Sequence, residues 1–289
     1  MKTVRRDQFT LDLSPENPAV LEVHQGERIK VECPCAKGGI FQEDGTASDP
    51  VETANPLAGP VAVAGIESGD TVAVIIGEIV PVGYGLSCGL VFEPRDGELL
   101  FLDELNVPQD PSIGGLGLAP RLKEEATDNM HCGPHGGNLD CGDMGPGATV
   151  FLRARVDGAN LSFGDVHWAM GDGEINGTGV EGAVDAEITL HKGRNVNLEW
   201  PWIVRNGLIM TLGGGPDLRI AQRVAYEELM SLGREVFALE RREMQGRITV
   251  AGDLKVCQSV CDWITVRLCL PLGLLGTSAD IFLADILEK

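Results

Sequence analysis

TVAVIIGEI, Thr71–Ile79, is the stretch whose reading decides the fold. Led in by Gly69-Asp70, its valines and isoleucines read as a buried β-strand, because β-branched side chains pack well on a pleated surface. Towards the N-terminus, Gln8–Ser14 alternates, with Phe9, Leu11 and Leu13 on one face, and ends at a Pro-Glu-Asn-Pro break. Val20–His24 and Arg28–Cys33 flank Gln25-Gly26-Glu27, which reads as a hairpin turn. Towards the C-terminus, strands are expected at Leu99–Leu102, Thr149–Val156, Asn160–Gly164, Ala186–His191 and Leu208–Leu212. The 38 glycines and 16 prolines agree with many turns between short strands. This spacing favours a sandwich or barrel over alternating βαβ units.

The pattern changes at Gly213-Gly214-Gly215-Pro216. Asp217 is a candidate N-cap, and Leu218, Ala221, Ala225, Leu229 and Leu232 form a helical stripe through Leu218–Leu232. A second helix is expected within Arg234–Ala251, and Val260–Leu268 returns to strand-like sequence before Pro271. The expected fold class is therefore mainly β, with sandwich- or barrel-like strands and a smaller α/β portion carrying two helices towards the C-terminus. Residues 1–212 are expected to form the β-rich domain with the site loops, and 213–289 to complete the same fold. No internal repeat is visible.

The chain carries 43 acidic and 23 basic residues, a formal charge of −20. Such a surface repels nucleic-acid phosphates and anionic lipid, so neither is expected as a partner. It suits a neutral or cationic small molecule, bound cations, or simply solubility. No apolar run reaches the roughly 18–20 residues of a bilayer span. MKTVRRDQF at the N-terminus has no apolar stretch behind its arginines, and cytoplasmic residence is the expectation. The eight cysteines are too sparse for a disulfide scaffold, and most read as small core residues.

Two stretches read as loops, Asp44–Pro60 and the Gly-rich Asn106–Ala148. An irregular segment of about 40 residues in a compact domain is usually functional or disordered, and this one holds His131, His135 and Asp140. Downstream lies GDVHWAMGDGE, Gly164–Glu174. If Asp165–His167 ends a strand, Asp165 and His167 share a face, as do Asp172 and Glu174 across Gly173. A turn at Met170-Gly171 brings the two pairs together, so that one imidazole and up to three carboxylates converge on a divalent cation, zinc first among the candidates. Solvated acids in a Gly-Asp-Gly turn accommodate the same spacing. In HGGNLD, His135–Asp140, the two glycines allow close backbone approach to a ligand. Asn138 can hydrogen-bond an amide or an oxyanion, and Asp140 can ligate metal or accept a proton; an Asx-turn pair is the alternative.

GGNLD followed about 25 residues later by GDVHWAMGDGE and Gly179-Val180-Glu181 resembles the acetamidase/formamidase family. Asn55-Pro56-Leu57-Ala58-Gly59-Pro60 leading to Gly65–Asp70, Ile113-Gly114 with Gly117–Pro120, and Asp253–Val256 resemble further segments of that family, so the likeness spans roughly residues 20–270. The resemblance implies hydrolysis of short aliphatic amides such as acetamide or formamide to a carboxylate and ammonia, a mostly β fold with an α/β portion, and a bound divalent metal. The matching positions are Asn138, Asp140, Asp165, His167, Asp172, Glu174 and Glu181. Two positions depart from the pattern. Pro34-Cys35 precede Gly38-Gly39-Ile40 where an acidic residue is frequent, and Trp168 follows His167 where a small residue is usual.

The expected assignment makes Asp140, His167 and Asp165 metal ligands. Glu174 serves as ligand or general base, Asn138 steadies the oxyanion, and Asp172 is a further catalytic carboxylate. His135, Gly137, Trp168 and Glu181 line the substrate site. Two other readings are open: a cysteine-nucleophile amidase using Cys132 or Cys141 beside His135, and a non-catalytic small-ligand or cation-binding member of the same fold. A homodimer is expected only as the commonest symmetry.

Overall fold

A computed structural model describes residues 1–102, 105–125 and 127–287. The strand expected over Thr71–Ile79 forms and runs on to Ser87. Val72, Val74 and Ile76 in it are at most 1% exposed, and burying each contributes roughly 1.5–3 kcal/mol. It pairs antiparallel with Glu181–Gly193 on one side and Thr149–Arg153 on the other. The sheet continues through Trp202–Arg205, Leu208–Gly215, Ile264–Pro271 and Asp253–Gln258, each antiparallel to the one before. Beyond Glu181–Gly193 it continues to Arg28–Cys33. Together with Leu57–Val63, Leu161–His167, Ser112–Leu118 and Gly136–Asn138, these strands belong to one curled, mostly antiparallel sheet.

Three α-helices lie among the described residues, Leu218–Phe237, Arg241–Ala251 and Ala279–Ile286. The first two answer the expected pair, and the short third adds to it. Asp217 caps the first as expected, its carboxylate accepting from Ile220 N–H at 2.9 Å, a contact typically worth about 1 kcal/mol. Ala221, Ala225, Leu229 and Leu232 of the stripe are buried against the sheet, whereas Leu218 is 42% exposed. Gly213 is a strand residue rather than a loop residue. A Cβ there would stand 2.4 Å from Ala225 N, so glycine lets the helix settle directly on the strand. None of the helices is long and apolar enough to cross a membrane.

Two local expectations change. The Gln25-Gly26-Glu27 turn forms, but its flanks do not pair as a hairpin. Leu21–Val23 runs parallel to Leu57–Val63, while Arg28–Cys33 joins Glu181–Gly193. The longer partner wins because it buries Ile29, Val31 and Cys33 completely. Nor is Asn106–Ala148 one long loop. Ser112–Leu118, SIGGLGL, is a strand with every residue buried, paired with both Leu161–His167 and Gly136–Asn138. Its glycines hide it from a propensity reading, and they are also what brings these three strands within reach of the site.

Candidate active site

The strand Leu161–His167 delivers Asp165 and His167, as the alternation predicts. Gly136–Asn138 delivers Asn138 and, just beyond it, Asp140. Glu181 opens the strand that pairs with His167, and Glu174 arrives on the turn between them. Ligand atoms of Asp140, Asp165 and His167 all lie within 4.8 Å of one another, and so do those of His167, Glu174 and Glu181. His167 Nε2 is 3.1 Å from Glu181 Oε1, without making a hydrogen bond to it, and 3.9 Å from Glu174 Oε1, beyond hydrogen-bond distance. Asp140, Asp165 and His167 are at most 2% exposed.

The backbone is bent to make this convergence. Asp140, Asp165 and Glu174 have φ of 45°, 51° and 44°, in the left-handed region that costs an L-residue roughly 1–2 kcal/mol. Such conformations persist where surrounding structure over-determines them, and they concentrate at functional sites. Gly114 forms the floor. A Cβ there would come within 2.7 Å of Asp140 Oδ1, Asp165 O and His167 Cε1. A relay of amides holds Asp165 from behind: Asn129 Nδ2 donates to Asn55 O, and Asn55 Nδ2 donates to Asp165 Oδ2, both at 2.8 Å. Asn138 Nδ2 donates to Asp140 Oδ2 at 2.8 Å and lies 3.7 Å from Cys261 Sγ.

Burial, then the charge of the neighbouring carboxylates, holds Asp140 and Asp165 well above the usual carboxylate range. Burial raises Glu174 too, against the pull of His167. In Glu181 burial is outweighed by His167 and by the hydroxyl of Thr178, which donates at 3.1 Å, and its carboxyl stays low. Burial disfavours a charged His167, but Glu181, Asp165 and Asp140 carry the imidazole well above its ordinary value.

The buried oxygens Asp140 Oδ1, Asp165 Oδ1 and Glu181 Oε2 and both ring nitrogens of His167 have no hydrogen-bond partner. The ion pairs of the described residues bring no lysine or arginine to this cluster. Buried carboxylates left without partners are costly, and a bound divalent cation removes that cost. The donor set, one imidazole with carboxylate oxygens, fits such an ion.

Other expected residues lie elsewhere. Asp172 does not join the cluster; it is half-exposed and pairs with Arg267 at 2.7 Å. Trp168 is fully buried on the opposite side from His167, its ring against Gly85 and Gly182 and its Nε1–H donating to Ala183 O. Gly137 is held between two strands, where a Cβ would strike His131 O, so its role is architectural. His135 is half-buried, with burial and then Arg155 lowering it to about 4, and no ion pair ties it to the cluster. Burial pushes the Cys132 thiol up to about 12, whereas Cys141, buried beside Cys257, is held below its ordinary value because Cys257 and Arg267 outweigh its burial. Among the described residues no hydrogen bond joins His135 to either thiol. At the departure near Gly38, the Cys35 thiol is pushed to about 11 by burial, with Glu181 adding to the shift. Asn55 and Gly114 join the site from the Asn55–Pro60 and Ile113-Gly114 segments, which carry the family resemblance but no expected site role. The left-handed φ of 59° at Asn55 is a local peculiarity that becomes visible only in the fold.

The structure thus places a buried carboxylate–imidazole cluster that could hold a metal ion on a curled antiparallel sheet. The Acetamidase/Formamidase family model matches residues 7–109 and 102–207, and the chain belongs to that family. The acetamidase of Mycolicibacterium smegmatis is 26% identical, the match covering 62% of this chain and 65% of that protein. The formamidase of Methylophilus methylotrophus is 24% identical, over 62% of this chain and 63% of its own length. This chain thus spans just under two thirds of the length of these curated relatives. The solved acetamidase of Bacillus halodurans is 28% identical and superposes with a TM-score of 0.86, covering 96% of this chain and 99% of that one.

Proposed function

We propose that the protein is an amidase, hydrolysing the C–N bond of a small amide to a carboxylate and ammonia. One observation carries the reading: a nearly dry cluster of four carboxylates and one imidazole, with orphaned oxygens, in a chain of this family. Asp140, Asp165 and His167 would hold a divalent cation, zinc by the nitrogen-and-oxygen donor set. When bound, such an ion polarises the amide carbonyl and lowers the pKa of water. The chain's own residues supply the remainder. Glu174, its carboxyl raised by burial, takes a proton from the attacking water and returns it to the departing nitrogen. Glu181 holds the His167 ring, and Asn55 holds Asp165. Asn138 keeps one amide hydrogen on Asp140, while the other, directed at Cys261 Sγ 3.7 Å away, would turn to the substrate oxygen and its unpartnered Oδ1 would accept an N–H of the substrate. The test is ammonia release from a panel of short amides, with and without chelator, beside elemental analysis of the purified protein. Chelator-insensitive turnover by a metal-free preparation would overturn the reading.

A further inference from the structure

Next to the carboxylate cluster lies a half-open cavity of about 500 Å³. Its apolar wall is Met130, Cys132, Val260, Cys261 and Trp263. Acetamide has four heavy atoms; at about 30 Å³ per water-sized group it occupies on the order of 100 Å³. The cavity is therefore several times too large for it, and falls in the roughly 300–1,000 Å³ range of sites that enclose drug-sized ligands.

Contacts with the site tie this cavity to the chemistry. Asn138 Nδ2 lies 3.7 Å from Cys261 Sγ in the cavity wall, and the same nitrogen donates to Asp140. Asn138 N–H also donates to the carbonyl of His131, another residue lining the cavity, at 2.9 Å.

The wall is held in place rather than left to collapse. Gln258 is fully buried, and its Oε1 accepts from Val260 N–H at 2.9 Å and Cys261 N–H at 3.0 Å. Its Nε2 donates to Trp263 O at 2.6 Å, so one side chain braces the whole Val260–Trp263 turn. Ser259 N–H and Oγ–H both donate to Gly173 O, next to Glu174, which fixes the turn against the site. Trp263 stacks on Trp200 with ring centres 6.3 Å apart and planes 21° apart, yet remains 42% exposed. An exposed, stacked indole beside an apolar cavity is out of place on a surface this acidic, and it suits an apolar guest.

We infer that this cavity is the subsite for the acyl substituent of the substrate, and that the preferred substrate is a primary amide bearing an aryl or branched apolar group rather than formamide or acetamide. The inference rests on the amidase reading for its chemistry. Water adds to the amide carbonyl carbon, the C–N bond breaks, and RCONH2 and H2O become RCOO⁻ and NH4⁺. Asn138 stands where the carbonyl meets the cluster, and the substituent extends past Cys261 towards Trp263.

The test uses phenylacetamide and acetamide on the metal-containing protein, reading ammonia release and, independently, binding by calorimetry. Phenylacetamide is expected to bind at least tenfold more tightly than acetamide and to show at least tenfold higher kcat/KM. Trp263→Ala and the cavity-filling Val260→Trp should each lower the phenylacetamide-to-acetamide ratio about tenfold; using two variants separates a subsite from a folding defect in either one. Equal binding of the two amides, or a ratio unmoved by both variants, overturns the subsite. Tight phenylacetamide binding without ammonia from either amide overturns the amidase reading and leaves the subsite standing.

Discussion

Asp140 and Asp143 lie on one loop, Asp172 and Glu174 on another, and each loop sends its two acids to different environments. Asp143 and Asp172 meet Arg267, whose Nε is 2.5 Å from Asp143 Oδ2 and whose second amino group is 2.7 Å from Asp172 Oδ1. The Arg267 side chain is 3% exposed and also reaches Cys257 Sγ at 3.6 Å. Asp140 and Glu174 instead meet Asp165, Glu181 and a single imidazole, with no lysine or arginine paired to them among the described residues. The difference separates two jobs. The arginine cluster locks both loops to the strand Ile264–Pro271 by satisfying its charges internally. The other cluster leaves its charges unsatisfied, which suits a site built to be completed by something bound.

The largest expected effect comes from the unsatisfied cluster. His167→Ala should abolish both metal content and ammonia release, a loss well beyond the 10- to 100-fold typical of an outer supporting residue. Elemental analysis and the ammonia assay check it, and retention of both properties would remove His167 from the assignment. The comparison also predicts a reversal of sign. In chelator-treated protein, Glu174→Gln removes one of several crowded acidic groups, while the oxygen of the introduced amide can still accept from Asp140. It should therefore raise Tm, by about 2–4 °C for each kcal/mol relieved, while ending turnover. A lower Tm in the metal-free protein would show that the cluster is not strained by its charge.

Arg267→Met tests the satisfied cluster. Breaking a buried pair from one side typically costs about 3–5 kcal/mol, and the exposure of Asp172 puts this case at the lower end. Chemical denaturation should show a loss of about 3 kcal/mol, at the low end of that range. Adding Asp143→Asn should recover part of it, because the uncompensated carboxylate is then gone.

How much of this was legible follows from where local rules hold. The valine- and isoleucine-rich Thr71–Ile79 and the stripe from Ala221 to Leu232 announced a strand and a helix, because burial imposes their periods directly. HGGNLD and GDVHWAMGDGE marked the right place, and Asp165 and His167 share a face as two-residue spacing requires. The same spacing failed for Asp172 and Glu174, because those residues lie in a turn rather than in a strand, so alternation does not apply. Arg267 and Cys261 are remote in sequence from both motifs, so nothing local marks them as partners, and Asn55 opens a family-like segment whose link to Asp165 only the fold reveals. Ser112–Leu118 was hidden for a different reason. Its glycines carry no β-preference, and their purpose appears only as the space they leave empty.

Gly114→Ala puts that space to the test between the two clusters. The added Cβ would crowd Asp140 Oδ1, the Asp165 carbonyl and the His167 ring at once, and none of these is the free end of a flexible side chain. Overpacking of this kind costs typically about 1–3 kcal/mol. Because the crowding falls on the proposed ligands, metal content should drop more sharply than stability. Thermal denaturation beside elemental analysis distinguishes this from a general packing defect, in which the two would fall together.

The smallest effect is expected at Asp172, the acid that looked catalytic from its motif. With its side chain 47% exposed, its pair with Arg267 belongs to the class of surface ion pairs worth about 0–1 kcal/mol, and Asp143 remains to hold the guanidinium. Asp172→Asn should therefore change stability by less than about 1 kcal/mol and leave metal content intact. Ammonia release should persist at a comparable rate, since the oxygen of the introduced amide can still accept from Arg267 and no atom of that side chain enters the carboxylate cluster. A loss of turnover with metal retained would mean that the loop swings Asp172 inward during the reaction. That single result would erase the division between the two clusters, because the arginine would then be holding a catalytic acid in reserve rather than a wall in place.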